Sequence, residues 1–90
     1  MTEPSVVKLE GALTLETAAA CLERALPAGN LVFDFADVTR VDSSALALLL
    51  AWLRRAKARG DSVVELRAPP ESLLALARLY GLDALLPLAA

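Results

Sequence analysis

The residues of this 90-residue chain best suited to chemistry sit in one short segment, Val41-Asp42-Ser43-Ser44, with Asp34 and Asp37 shortly before it. A carboxylate beside two hydroxyls has three uses. Asp42 can cap a following helix by accepting the amide protons that its first turn leaves unpaired. Ser43 or Ser44 can give a polar contact to a partner, or accept a phosphate whose charge would rework the surface around it. Asp34, Asp37 or Asp42 could serve a nucleotide hydrolase, although aspartates at turns and helix starts are routinely structural. The chain has no histidine, and its four glycines, at 11, 29, 60 and 81, are too scattered for a phosphate-cradling loop. Catalysis near neutral pH and zinc binding usually recruit histidine. The expectation is a binding module rather than an enzyme, with no catalytic residues, no metal and no cofactor.

Composition narrows the partners. The formal net charge of -2 lacks the basic patch that nucleic acid requires. A single cysteine, Cys21, rules out an internal disulfide and suits a reducing compartment. On the flank of a helix, Cys21 is expected to be a small packed residue. The opening Met-Thr-Glu-Pro-Ser has neither a basic nor an apolar leader region. The longest apolar run, 45–53, is far short of the roughly 20 residues a membrane span needs. With 57% hydrophobic residues, the chain must hide its apolar surface in a core or against a partner.

The elements that position the segment follow from periodicity. Residues 6–10 alternate, with Val7 and Leu9 on one side and Lys8 and Glu10 on the other, as in a half-buried strand. Glu10-Gly11 reads as a turn, with a second short strand at 12–13. Thr14 reads as the cap of a helix whose stripe is Leu15, Ala18, Ala19, Leu22 and Leu26, stopped by Pro27 and Gly29. Residues 31–35 read as a central strand, 37–40 as a connector, and Val41 as a return to the sheet. A long helix runs from Ser43-Ser44 to Gly60, with Arg54, Arg55, Lys57 and Arg59 offsetting its C-terminal carbonyls. Residues 62–67 alternate as a strand. Pro69-Pro70-Glu71 opens a third helix with the stripe Leu73, Leu76, Ala77 and Tyr80, closed by Gly81. The apolar tail 82–88 is expected to close the core.

The resulting order, β-(β)-α-β-α-β-α, predicts an α/β domain with a mixed, largely parallel sheet and right-handed crossovers. Charges at Lys8, Glu10, Glu65 and Arg67 predict helices mainly on one face and water on the other. In the long helix, Leu46, Leu49, Leu50, Leu53 and Ala56 can face the sheet, which sets Leu48 and Trp52 on another face with Ala45 and Arg55. A Trp beside an Arg near a capped helix end has the composition of a binding hot spot. The expected partner surface is therefore Asp42, Ser43, Ser44, Ala45, Leu48, Trp52 and Arg55.

The run Phe-Asp-Phe-Ala-Asp-Val-Thr-Arg-Val-Asp-Ser-Ser-Ala-Leu, residues 33–46, resembles the signature of STAS domains, the sulfate-transporter and anti-sigma-antagonist fold. Within that superfamily the chain is most similar to the MlaB branch. The closer likeness lies in Arg40-Val-Asp-Ser-Ser-Ala-Leu-Ala-Leu-Leu-Leu50, in Ala56-Lys-Ala-Arg-Gly60 and in Leu76-Ala-Arg-Leu-Tyr-Gly-Leu82. The resemblance implies a single STAS domain over 1–90 and a non-catalytic role. MlaB-like subunits bind the cytoplasmic ATPase subunit (MlaF-like) of an ABC transporter that moves phospholipid to maintain outer-membrane asymmetry. That would make the chain cytoplasmic, peripheral to the inner membrane through its partner. The branch's important hydroxyl follows the Asp directly, which maps onto Ser43. In anti-sigma-factor antagonists the phosphorylated serine is one step further, which maps onto Ser44, and the partners are an anti-sigma factor and a serine kinase. Ala45 stands where the family pattern has Gly.

Overall fold

The structure, a computed structural model, describes residues 3–60 and 62–87. Three strands, β1 (Ser5–Leu13), β2 (Leu31–Val41) and β3 (Val64–Arg67), alternate with three helices, α1 (Leu15–Leu22), α2 (Ser43–Ala58) and α3 (Glu71–Leu79); a 3-10 turn, Asp83–Leu85, follows. The sheet order is β1-β2-β3 and both pairings are parallel. β2 is central, as its apolar, β-branched and aromatic start anticipates.

One row of side chains crosses the sheet from Val7 through Phe33 to Leu66. These residues are buried with Leu9, Leu31 and Phe35, and α2 and α3 add Leu46, Leu49, Leu73 and Ala77 to the same core. The opposite parity carries exposed Lys8, Glu10, Glu65 and Arg67, so the wet face is where the charges put it. Trp52 is 0% exposed and stacks on Phe33, with ring centroids 4.9 Å apart and planes 3° from parallel. Leu86 closes the core from the C-terminal side, whereas Leu88 lies outside the described residues.

Four expectations need correction. No turn separates residues 10 and 12: β1 is one strand, and Gly11 takes φ 72 at a register shift instead. Residues 37–40 are not a connector but the second half of β2. Between Lys8↔Asp34 and Glu10↔Asp37, and again between Gly11↔Val38 and Ala12↔Arg40, β2 advances one residue more than β1. Each bulge flips the parity, so the inward positions run 31, 33, 35, 38, 41, and strict alternation is lost.

α1 ends at Leu22, before Pro27, because Arg24 donates its amide to Cys21 in a tighter i−3 turn at 3.0 Å. Leu15, placed on the buried stripe by its spacing, is 77% exposed at the first position of that helix. The third helix meets its expected end: Leu82 N–H donates to the Ala77 carbonyl at 2.8 Å and Gly81 N–H to Arg78 at 3.1 Å, with Gly81 at φ 69.

Candidate functional site

The site is built by the ends of β1 and β2. The Asp42 amide donates to the Leu13 carbonyl at 3.2 Å, extending the ladder one step beyond Val41. This fixes Asp42 in an extended conformation (φ -132, ψ -170) between two helix starts. Its Oδ1 accepts the Ser44 amide at 2.8 Å, and its Oδ2 accepts the Leu15 amide at 3.0 Å. One carboxylate therefore caps α1 and α2 together. The Leu15 amide, followed by the Ser44 amide and hydroxyl and the Ala45 amide, holds its pKa below the ordinary Asp value. Thr14 also marks the start of α1, through its amide, which donates to Thr17 Oγ1 at 3.0 Å.

The two hydroxyls look into different grooves. Ser43 is exposed and lines a groove of about 440 Å³ between α2 and α3, with Val41, Ser72, Leu76, Leu79 and Tyr80. Ser44 is half-buried against α1, in a smaller depression of about 190 Å³ walled by Ala18, Ala19, Leu22, Ala47 and Leu48. A third depression, reaching from Leu15 and Glu16 to Arg40, shares Val41 and Asp42 with the Ser43 groove. Leu15, Leu79 (75% exposed) and Tyr80 thus flank the Asp42-Ser43 junction as an apolar rim. A hydroxyl set between unpartnered apolar side chains is suited to docking another surface.

The expected partner surface is only partly brought together. Ser43 faces solvent. Asp42 is engaged internally by both helices, and Ser44 turns toward α1. Ala45, Leu48 and Trp52 are core residues, so they cannot face a partner. The face of α2 buried here centres on Ala45, Leu49, Trp52 and Ala56, about 60° around the helix from the expected stripe, at about 100° per residue. Leu50 and Leu53, expected in the core, are displaced to its edge. Arg55 is exposed, but its guanidinium donates to the Leu22 carbonyl at 2.8 Å, closing the end of α1.

Sequence reasoning missed Leu15, Ser72 and Leu79 as site residues, and placed Tyr80 on a buried stripe. Leu76 and Leu79 form a second apolar line beside Leu73 and Ala77, and that was the available signal. Asp34 and Asp37 stand on the wet face with Lys8, whose Nζ lies 2.9 Å from Asp37 and 3.8 Å from Asp34. The hydrogen bond to Asp37 is the main reason the Lys8 pKa is raised. Cys21 is half-buried and packs against the core. No helix among the described residues is long and apolar enough to cross a membrane.

This architecture is that of a STAS domain. It resembles the structure of the anti-sigma factor antagonist SpoIIAA in its unphosphorylated form, at a TM-score of 0.64 and 18% identity over all of this chain and 84% of that one. The family model described as "Mlab, STAS domain" matches residues 2–87, and the chain belongs to that family. No curated protein matches it significantly.

Proposed function

We propose that this STAS domain is a non-catalytic adaptor that docks on the cytoplasmic ATPase subunit (MlaF-like) of an Mla-type phospholipid ABC transporter and supports its assembly and activity. It would thereby serve outer-membrane lipid asymmetry, held at the inner membrane through that partner. The observation that carries the reading is the exposed Ser43 hydroxyl in a groove shared with the exposed Leu79 and Tyr80, at a junction otherwise occupied with internal capping. The match to a family described by the name Mlab supports the choice of partner. Apolar side chains of this size contribute about 1.5–3 kcal/mol each when fully buried, enough to anchor a complex. The test is co-purification with the ATPase subunit of the same host. Leu79→Asp should leave the circular dichroism spectrum unchanged and abolish the complex. A complex that survives this change would remove the groove from the interface.

The second reading is an anti-sigma-factor antagonist switched by serine phosphorylation. The likeness to the SpoIIAA fold favours it. Under this reading a serine kinase of the host transfers phosphate to Ser44 or Ser43, read by mass spectrometry. An anti-sigma factor then binds the unmodified chain only.

A further inference from the structure

The basic cluster near the end of α2 divides in two. Arg55 and Arg59 turn toward α1: Arg55 reaches the Leu22 carbonyl, and Arg59 bonds the carbonyls of Pro27 and Leu26, the latter at 3.2 Å. Arg54 and Lys57 turn the other way. With Leu50 and Leu53 they form an i, i+3, i+4, i+7 face of α2. Opposite that face stand Leu82 and Leu85 from the region of the 3-10 turn, and the six residues enclose a cleft of about 530 Å³. Leu85 is 62% exposed on its rim.

We infer that this cleft docks a short acidic amphipathic segment of a partner protein. Apolar side chains one helical turn apart would enter between Leu53 and Leu85, and carboxylates beside them would meet Arg54 and Lys57. The complementarity is local: the chain carries a net charge of -2, yet among the described residues the charged side chains lining this apolar cleft are both cationic. An anionic membrane is the other surface these cations could meet, and the observations favour it less. Polybasic membrane sites use roughly 4–8 cations, whereas two of the described residues that line the cleft are cationic. A concave cleft also receives a ridge of side chains, which a bilayer surface does not offer. The cleft shares no described lining residue with the Ser43 groove, so the two can be tested by separate substitutions.

The test is selection of binders to the purified chain from a displayed library of random peptides about four helical turns long. Enrichment of peptides that combine Glu or Asp with Leu or Phe at helical spacing is expected. Their recovery should fall by about tenfold or more on the double variant Arg54→Glu, Lys57→Glu, and equally on Leu85→Asp. Both variants change exposed side chains, and circular dichroism checks that they fold. Tyr80→Asp, in the other groove, should leave recovery unchanged. Enrichment without an acidic bias overturns the proposal, as does equal recovery on the charge-reversed variant, or loss on Tyr80→Asp. Co-sedimentation with phosphatidylglycerol vesicles in the absence of peptide enrichment assigns the cations to a membrane, and also overturns it.

Discussion

The two flanks of α2 are built on opposite principles. Toward α1, both ends of the neighbouring helix are capped from within the chain. Asp42 accepts the first amide of α1, Arg55 donates to the Leu22 carbonyl at its far end and Arg59 to the carbonyls of Leu26 and Pro27 beyond it, and Ser44 sits against its alanines. Toward α3, the same helix leaves an exposed hydroxyl, an apolar groove and a cation-lined cleft with no polar partner among the described residues. The closed flank explains how α1, eight residues long and with none fully buried, is held at all. Helices this short are marginal on local propensity. The open flank shows where the molecule has surface left for others. A cluster that looks uniform in sequence, four basic residues in six positions, thus does two different jobs.

Substitutions at five positions would break or sharpen this contrast. The largest effect belongs to neither flank but to the core that supports both. Trp52→Ala should cost about 3–5 kcal/mol in a urea titration, since it empties the space over Phe33. Trp52→Phe keeps a ring on that stack and should cost less than about 1.5 kcal/mol, because the indole Nε1 has no hydrogen-bond partner to lose among the described residues. A variant at Trp52 that folds normally and fails only in binding would restore the tryptophan to the surface.

Asp42→Ala comes next, because it removes the acceptor of two helix starts at once, and should lower the melting temperature more than loss of either arginine. The same contact gives a pH dependence. The Asp42 pKa is depressed in the folded chain, so its contribution is complete above the ordinary Asp value near 4 and disappears as pH falls below it, through the folded value. Wild-type stability should therefore drop more steeply than that of Asp42→Ala below about pH 4. Parallel acid profiles for the two proteins would show that the clasp is not energetically coupled to folding.

Arg55→Ala should cost about 1 kcal/mol, since its hydrogen bond is charge-assisted but exposed, and hydrogen exchange should quicken in α1 before α2. The smallest stability effects belong to the open flank. Ser43→Ala should change the unfolding free energy by less than about 0.5 kcal/mol, yet weaken the proposed complex with an ATPase subunit more than Ser44→Ala does. If Ser44→Ala has the greater effect in a binding titration, the α1 side of the helix belongs to the interface and the contrast between the flanks fails.

Much of this was legible in the residues alone. The alternation at Val7 and Leu9 named the inner face of β1, the charges at Lys8, Glu10, Glu65 and Arg67 named the wet face, and Asp42 and Gly81 announced a helix start and a helix end. These are short-range features, set by side-chain period and by the capping needs of the backbone.

The same residues left three matters open, and tertiary structure decided them. Because α2 is apolar on more than one side, its period does not single out a buried face, and the stack of Trp52 on Phe33 set the rotation. β2 reads as broken because its two bulges exist only relative to the register of β1. The arginines were separated by acceptors far away in sequence, such as Leu22, 33 residues from Arg55. Burial, register and hydrogen-bond choice at such distances depend on which surfaces meet, and that is settled only when the whole chain has packed.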